Sequence, residues 1–158
     1  KLLKSPWTFE YEANRDGVNS SPFPSYSSFL TRATTATSAI LNGPANNGFC
    51  MTTIGNAYGC YAYIYNSAGS IVYNSGALAT TYAFAGARHR WVFDNDTFNL
   101  KLYGAANGSN TFTLLVNYTF TSTEKSDWLS SYEETDFRIA LNTRANNDGW
   151  RNMRWYTQ

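Results

Sequence analysis

Between Thr111 and Thr121 the chain reads TFTLLVNYTFT. Phe112, Leu114, Val116, Tyr118 and Phe120 share one parity; Thr111, Thr113, Asn117, Thr119 and Thr121 share the other, with Leu115 the single intruder. Side chains alternate across a strand with period two, so the segment predicts one long strand with an apolar and a polar face. The same alternation recurs along most of the chain. Trp7, Phe9 and Tyr11 alternate with Thr8, Glu10 and Glu12. Phe98, Leu100 and Leu102 point one way, and Thr97, Asn99 and Lys101 the other, in a hairpin partnered by 88–93 around Asp94-Asn95-Asp96.

Further strands are expected over 49–54, 58–65 and 70–73, over Leu78–Phe84, at Phe137–Leu141 and at Trp150–Tyr156. Ser27–Leu41 is weakly patterned and reads as one or two edge strands. Segment 124–132 is the one helix candidate, at most two turns, with Trp128, Leu129 and Tyr132 on one side. Gly, Pro, Asn and Asp clusters punctuate the rest. About ten short strands joined by turns predict an all-β domain: a two-sheet antiparallel β-sandwich or jelly roll with at most one short helix. Residues 1–158 read as one domain, and the Lys1 start reads as a processed or excised part of a longer protein.

Composition narrows the setting. Aromatic residues make up 17% of the chain and charged residues only 15%, against roughly 25% charged in ordinary domains. Asn, Ser and Thr number 17, 15 and 18, so amides and hydroxyls solubilise the surface, as suits an extracellular or virion-surface protein. A net charge of +1 supplies no field to draw nucleic acid. No apolar run reaches the roughly 20 residues of a membrane-spanning helix, so neither nucleic acid nor membrane insertion is expected. The sequons at Asn19, Asn95, Asn107 and Asn117 are what so many Asn, Ser and Thr residues produce by chance.

Cys50 and Cys60 flank Gly55 symmetrically. A hairpin centred on Gly55 places them opposite one another, and an even cysteine count in a secreted composition predicts a disulfide between them.

Candidate chemistry is sparse. In 58–65, Cys60, Ala62 and Ile64 share one parity and Tyr61, Tyr63 and Tyr65 the other. With the smaller apolar set inward, the three phenols form an outward row, suited to stacking on sugar rings while the hydroxyls bond at the rim. Trp150, Arg151 and Trp155 form a second candidate, an aromatic–basic ligand site; a last strand buried on both faces explains the same residues. Glu10 and Glu12 stand about 7 Å apart, within the range of a glycosidase carboxylate pair, but such pairs normally come from different strands. His89 is the single histidine and shares parity with Trp91 and Phe93, which marks it as a hydrogen-bonded core residue rather than a base. Asp94, Asn95 and Asp96 lack the glycine and glutamate of a calcium loop and read as a tight turn. No metal site or cofactor is expected.

These observations point to a non-enzymatic binding module that recognises carbohydrate or a cell-surface receptor at an extracellular, virion or appendage surface. The alternatives are a structural capsid, pilus or appendage subunit, and a β-jelly-roll glycoside hydrolase. The exposed aromatics also allow self-association into a homo-oligomer.

Overall fold

The computed structural model describes residues 6–15, 26–31, 50–56, 59–66, 68, 70–82, 86–130, 138–143 and 148–157. These residues are mostly β. Ten strands run in chain order: β1 Trp7–Arg15, β2 Tyr26–Thr31, β3 Cys50–Asn56, β4 Gly59–Tyr65, β5 Ile71–Asn74, β6 Arg88–Asp94, β7 Asn99–Ala105, β8 Thr113–Thr119, β9 Arg138–Thr143 and β10 Asp148–Thr157. One helix, α1 (Ser122–Ser130), separates β8 from β9. One sheet has the order β10-β1-β6-β7-β8 and the other β5-β4-β3-β2-β9. Every pairing is antiparallel.

The core is an aromatic layer on one face of the first sheet. The β1 residues Trp7, Phe9 and Tyr11 lie opposite Phe93, Trp91 and His89 of β6. Trp91 and Phe93 in turn oppose Leu102 and Leu100 of β7. Burying such large side chains contributes about 1.5–3 kcal/mol each. From the second sheet, Ala62 and Ile64 of β4 join the same cluster. Tyr73 of β5 packs on Tyr118 of β8 with ring centroids 4.7 Å apart.

Six expectations change. The stripe through Thr111–Thr121 is not one uninterrupted strand. The β7–β8 register shifts so that Leu102 opposes Val116 but Tyr103 opposes Leu114. Leu115 is thus the extra residue of a β-bulge. It turns toward the core and Leu114 is left 47% exposed. Gly104 makes room for it: a β-carbon there would stand 2.6 Å from Leu115 Cδ1 and 2.8 Å from Tyr82 Cδ1.

Leu78–Phe84 is not a strand. Leu78 makes an isolated bridge to Cys60, and Thr80–Tyr82 is a turn of 3-10 helix; Phe84 lies outside the described residues. Tyr26–Thr31 is not an edge, because β3 and β9 flank it on both sides. Residues 32–49 lie outside the described residues. The final strand is an edge strand, with Met153 56% exposed, rather than one buried on both faces.

The cysteine hairpin has a different centre. Cys60 opposes Gly55 and Cys50 opposes Tyr65. The offset from Gly55 to Cys50 is five residues, or roughly 16 Å along the sheet, whereas a bridge requires Cα atoms within about 7 Å. Cys60 is a free, buried thiol. The Cys50–Cys60 disulfide is therefore excluded by register, which symmetry about Gly55 does not determine.

The helix begins two residues before 124. Thr121 and Glu124 form a capping box: Glu124 N–H donates to Thr121 Oγ1 at 3.2 Å, and Thr121 N–H donates to Glu124 Oε2 at 2.7 Å. This satisfies two orphan donors of the first turn. Leu129 is exposed, and Tyr132 lies outside the described residues.

Candidate functional site

The outer face of the first sheet, opposite the aromatic core, carries Glu10 and Glu12 on β1, Arg88, Arg90 and Val92 on β6, and Lys101 and Tyr103 on β7. Because β1 is an interior strand, this face is not simply wet. Thr8 is fully buried and Glu10 nearly so, with Arg90 and Arg154 opposite Glu10 on the two neighbouring strands. Arg90 Nε donates to Glu10 Oε2 at 2.8 Å. This charge-assisted bond holds the Nε edge of the guanidinium.

The other carboxylate is held from β10. Arg151 Nε donates to Glu12 Oε1 at 2.7 Å and Asn152 Nδ2 to Oε2 at 2.8 Å. Asn152 has φ +55° and sits in a bulge, since Glu12 opposes Arg151 whereas Glu10 opposes Arg154. Burial pushes the Glu12 carboxyl up, but the bonds from Asn152 and Arg151 and the charges of Arg151 and Arg88 outweigh it. The net effect holds Glu12 below the usual carboxylate range.

Across β6, β7 and β8 the outer face is hollowed into an open groove of about 820 Å³. At one end the Arg90 guanidinium carbon lies 3.8 Å from the Phe112 ring centroid, and that of Arg88 lies 5.1 Å away. Phe112 comes from the loop after β7. Arg88 anchors that loop by donating to the Ser109 carbonyl and, at 3.1 Å, to Asn110 Oδ1. The loop turns at Gly108, where φ is +75°, a backbone region open to glycine at little cost. Lys101 occupies the floor between Val92 and Asn117. At the far end Asn99 Nδ2 donates to Asn117 Oδ1 at 2.9 Å and Thr119 Oγ1 at 3.0 Å. Asp94 Oδ1 accepts from the N–H of Asp96 at 2.8 Å and of Thr97 at 3.2 Å, closing the expected Asx turn. An aromatic–guanidinium platform, a lysine, a tyrosine and an amide–hydroxyl cluster thus converge on one concavity.

The sequence-predicted sites fall elsewhere. On β4 the parity is as expected: Cys60, Ala62 and Ile64 are buried, and Tyr61 and Tyr63 are half-exposed. Their rings stack with centroids 6.3 Å apart at 13°. Tyr65 tilts against Tyr63 at 6.1 Å but is only 7% exposed, so the accessible row has two phenols instead of three. Trp155 packs inward, stacked on Trp7 at 5.0 Å, whereas Arg151 points outward to Glu12. The Trp155 and Arg151 side chains therefore do not share a face. Trp150 lies on β10 opposite Ala13, and its side chain is outside the described set.

His89 is fully buried. Tyr11 Oη lies 2.9 Å from Nδ1, and Nε2 lies 2.9 Å from the Tyr82 carbonyl oxygen. A carbonyl only accepts, so Nε2 carries the proton and Tyr11 donates to Nδ1. Cys60 Sγ lies 3.9 Å from Nε2. Burial drives the imidazole pKa down to about 4 and the thiol up to about 12. A neutral histidine beside a protonated thiol, both shut off from solvent, forms no nucleophile–base pair. Among the described residues no group of His, Cys, Asp and Glu is placed to hold a metal ion.

No protein-family model and no curated protein matches this chain.

The groove escapes sequence reading because it draws on three strands and a loop: β6 and β7 supply three residues each, β8 two, and the loop after β7 supplies Phe112. A faint signal exists: Asn99 and Lys101 fall on the outward parity of their strand, as do Arg88 and Arg90 on theirs. Phe112 carries no such signal, since parity places it with the core.

Proposed function

We propose that the chain is a non-catalytic binding module of an extracellular, virion or appendage surface that recognises carbohydrate, built as a two-sheet β-sandwich, with the outer-face groove as its ligand site. The observation that carries this reading is the convergence of Phe112, Arg90, Lys101, Tyr103, Asn99, Asn117 and Thr119 on one open concavity. Sugar recognition uses apolar ring faces together with directional donors and acceptors at the rim. Asn99 Nδ2 is spent on its neighbours, which leaves its carbonyl oxygen and the Asn117 amide group to meet hydroxyls. The sandwich is supported by the shared core, to which β4 and β5 contribute Ala62, Ile64 and Tyr73. The extracellular setting rests on composition.

The glycosidase alternative gains nothing from Glu10 and Glu12. Each is engaged by an arginine, and a general acid needs a raised carboxyl pKa, the reverse of the shift at Glu12. The structural-subunit alternative rests on the edge strands, where Leu114 of β8 and Met153 and Tyr156 of β10 are exposed. A monomer by light scattering at working concentrations removes its support.

The test is a glycan array probed with the parent and with Phe112→Ala. The reading expects at least one glycan bound by the parent and lost by the variant. No glycan bound, or equal binding by both, overturns it.

A further inference from the structure

The charged lining of the groove is Arg90, Lys101 and Asp94. Arg90 is paired with Glu10, which leaves Lys101 as the groove cation with no ion pair among the described residues. Resting on the carbohydrate reading above, we propose that the ligand is an acidic sugar, whose carboxylate or sulfate is held between Lys101 and the terminal nitrogens of Arg90.

Register places the two cations together. Arg90 opposes Tyr103 and Val92 opposes Lys101, so Arg90 and Lys101 are diagonal neighbours on adjacent strands, about 7–8 Å apart at the backbone. That separation lets one oxyanion bridge two long basic side chains. Arg90 is already oriented for such a contact, because Glu10 takes its Nε and Phe112 covers one face of its guanidinium. The edge bearing the two terminal nitrogens is left for a planar or tetrahedral oxyanion, the geometry that arginine matches best.

Lys101 has no acid partner among the described residues. Asp94 is its other diagonal neighbour, but one carboxylate oxygen there accepts the turn N–H groups of Asp96 and Thr97. Lys101 is only half-exposed on the groove floor. A part-desolvated ammonium without a counter-ion is stabilised by an incoming anion more than a fully hydrated one is. A neutral sugar leaves that charge unmatched. Phe112 and Tyr103 then serve the apolar face of the same ring, and Asn99 and Asn117 serve its hydroxyls.

Titration calorimetry with the whole chain decides the matter, using three probes: 3′-sialyllactose, a heparin-derived sulfated disaccharide, and lactose. The expected result is that one acidic probe binds at least roughly tenfold tighter than lactose. Its affinity falls by about tenfold or more in Lys101→Gln, the loss of one charge-assisted contact. Lys101→Arg, which keeps the charge, retains most of the affinity. The carboxylated and sulfated probes separate the two sources of the anion. Lactose or another neutral glycan bound as tightly, with Lys101→Gln unaffected, overturns the acidic-sugar assignment and leaves the carbohydrate reading standing. Failure to bind any of the three probes or any array glycan overturns both.

Discussion

The hydroxyl of Tyr11 donates to Nδ1 of His89 at 2.9 Å, tying β1 to β6 at the buried end of the aromatic layer. Nε2–H is spent on the Tyr82 carbonyl, and burial of the ring favours the neutral imidazole whose Nδ1 accepts from Tyr11. Protonation would turn Nδ1 into a donor, force the Tyr11 hydroxyl hydrogen to turn away, and place a charge where no solvent reaches.

This predicts an acid sensitivity with a defined window. The unfolded imidazole titrates near 6.5, and the folded one is pushed down to about 4. Between these values the unfolded chain binds the extra proton, so stability is full above about pH 6.5, falls toward pH 4 and levels off below. The loss is on the order of 3 kcal/mol. Glu12, held below the usual range, adds a loss that begins only as pH drops through ordinary carboxylate values. Urea unfolding at pH 7, 6 and 5 checks the first window. His89→Gln should flatten that slope while lowering stability at pH 7.

Cys60 should behave as a shielded thiol. With its pKa pushed up to about 12 and no solvent access, it resists thiol reagents in the folded protein. In Cys50→Ser protein at pH 8, labelling of the remaining thiol should require denaturant. Reduction of the parent should not add the two hydrogens of a Cys50–Cys60 bridge to its intact mass.

Gly104 is a steric requirement of the β8 bulge. Its φ is not in the left-handed region, so the constraint is space alone. Gly104→Ala forces Leu115 and Tyr82 aside, and overpacking of this kind costs about 1–3 kcal/mol. Because Tyr82 holds His89, the variant should lose melting temperature and also show a shifted His89 ring signal by NMR. A fully neutral substitution would contradict this packing.

Much of the fold was legible because period-two alternation survives wherever a strand is regular. Trp7, Phe9 and Tyr11, Trp91 and Phe93, and Leu100 and Leu102 all face inward as their parity requires. Reading failed where a bulge changes the count. Leu115 and Asn152 each insert a residue, which sends Leu114 outward and brings Arg151 and Arg154, three apart, to one side. It failed again where pairing depends on a partner strand, since the centre of the Cys50–Cys60 hairpin is set by the β3–β4 ladder. Tyr61 and Tyr63 were placed correctly, because Cys60, Ala62 and Ile64 fill the core. The groove was illegible for a different reason: Arg90, Lys101 and Phe112 meet only through cross-strand register and an anchored loop.

The most direct test of the central claim, that the outer-face groove is the sugar site, is an amide NMR titration of the labelled chain with 3′-sialyllactose and with the sulfated disaccharide. The largest shifts are expected to cluster at Arg90, Lys101, Phe112 and Asn117, with Tyr61 and Tyr63 unmoved. Shifts confined to Tyr61 and Tyr63, or no shifts with either probe at millimolar concentration, would contradict it.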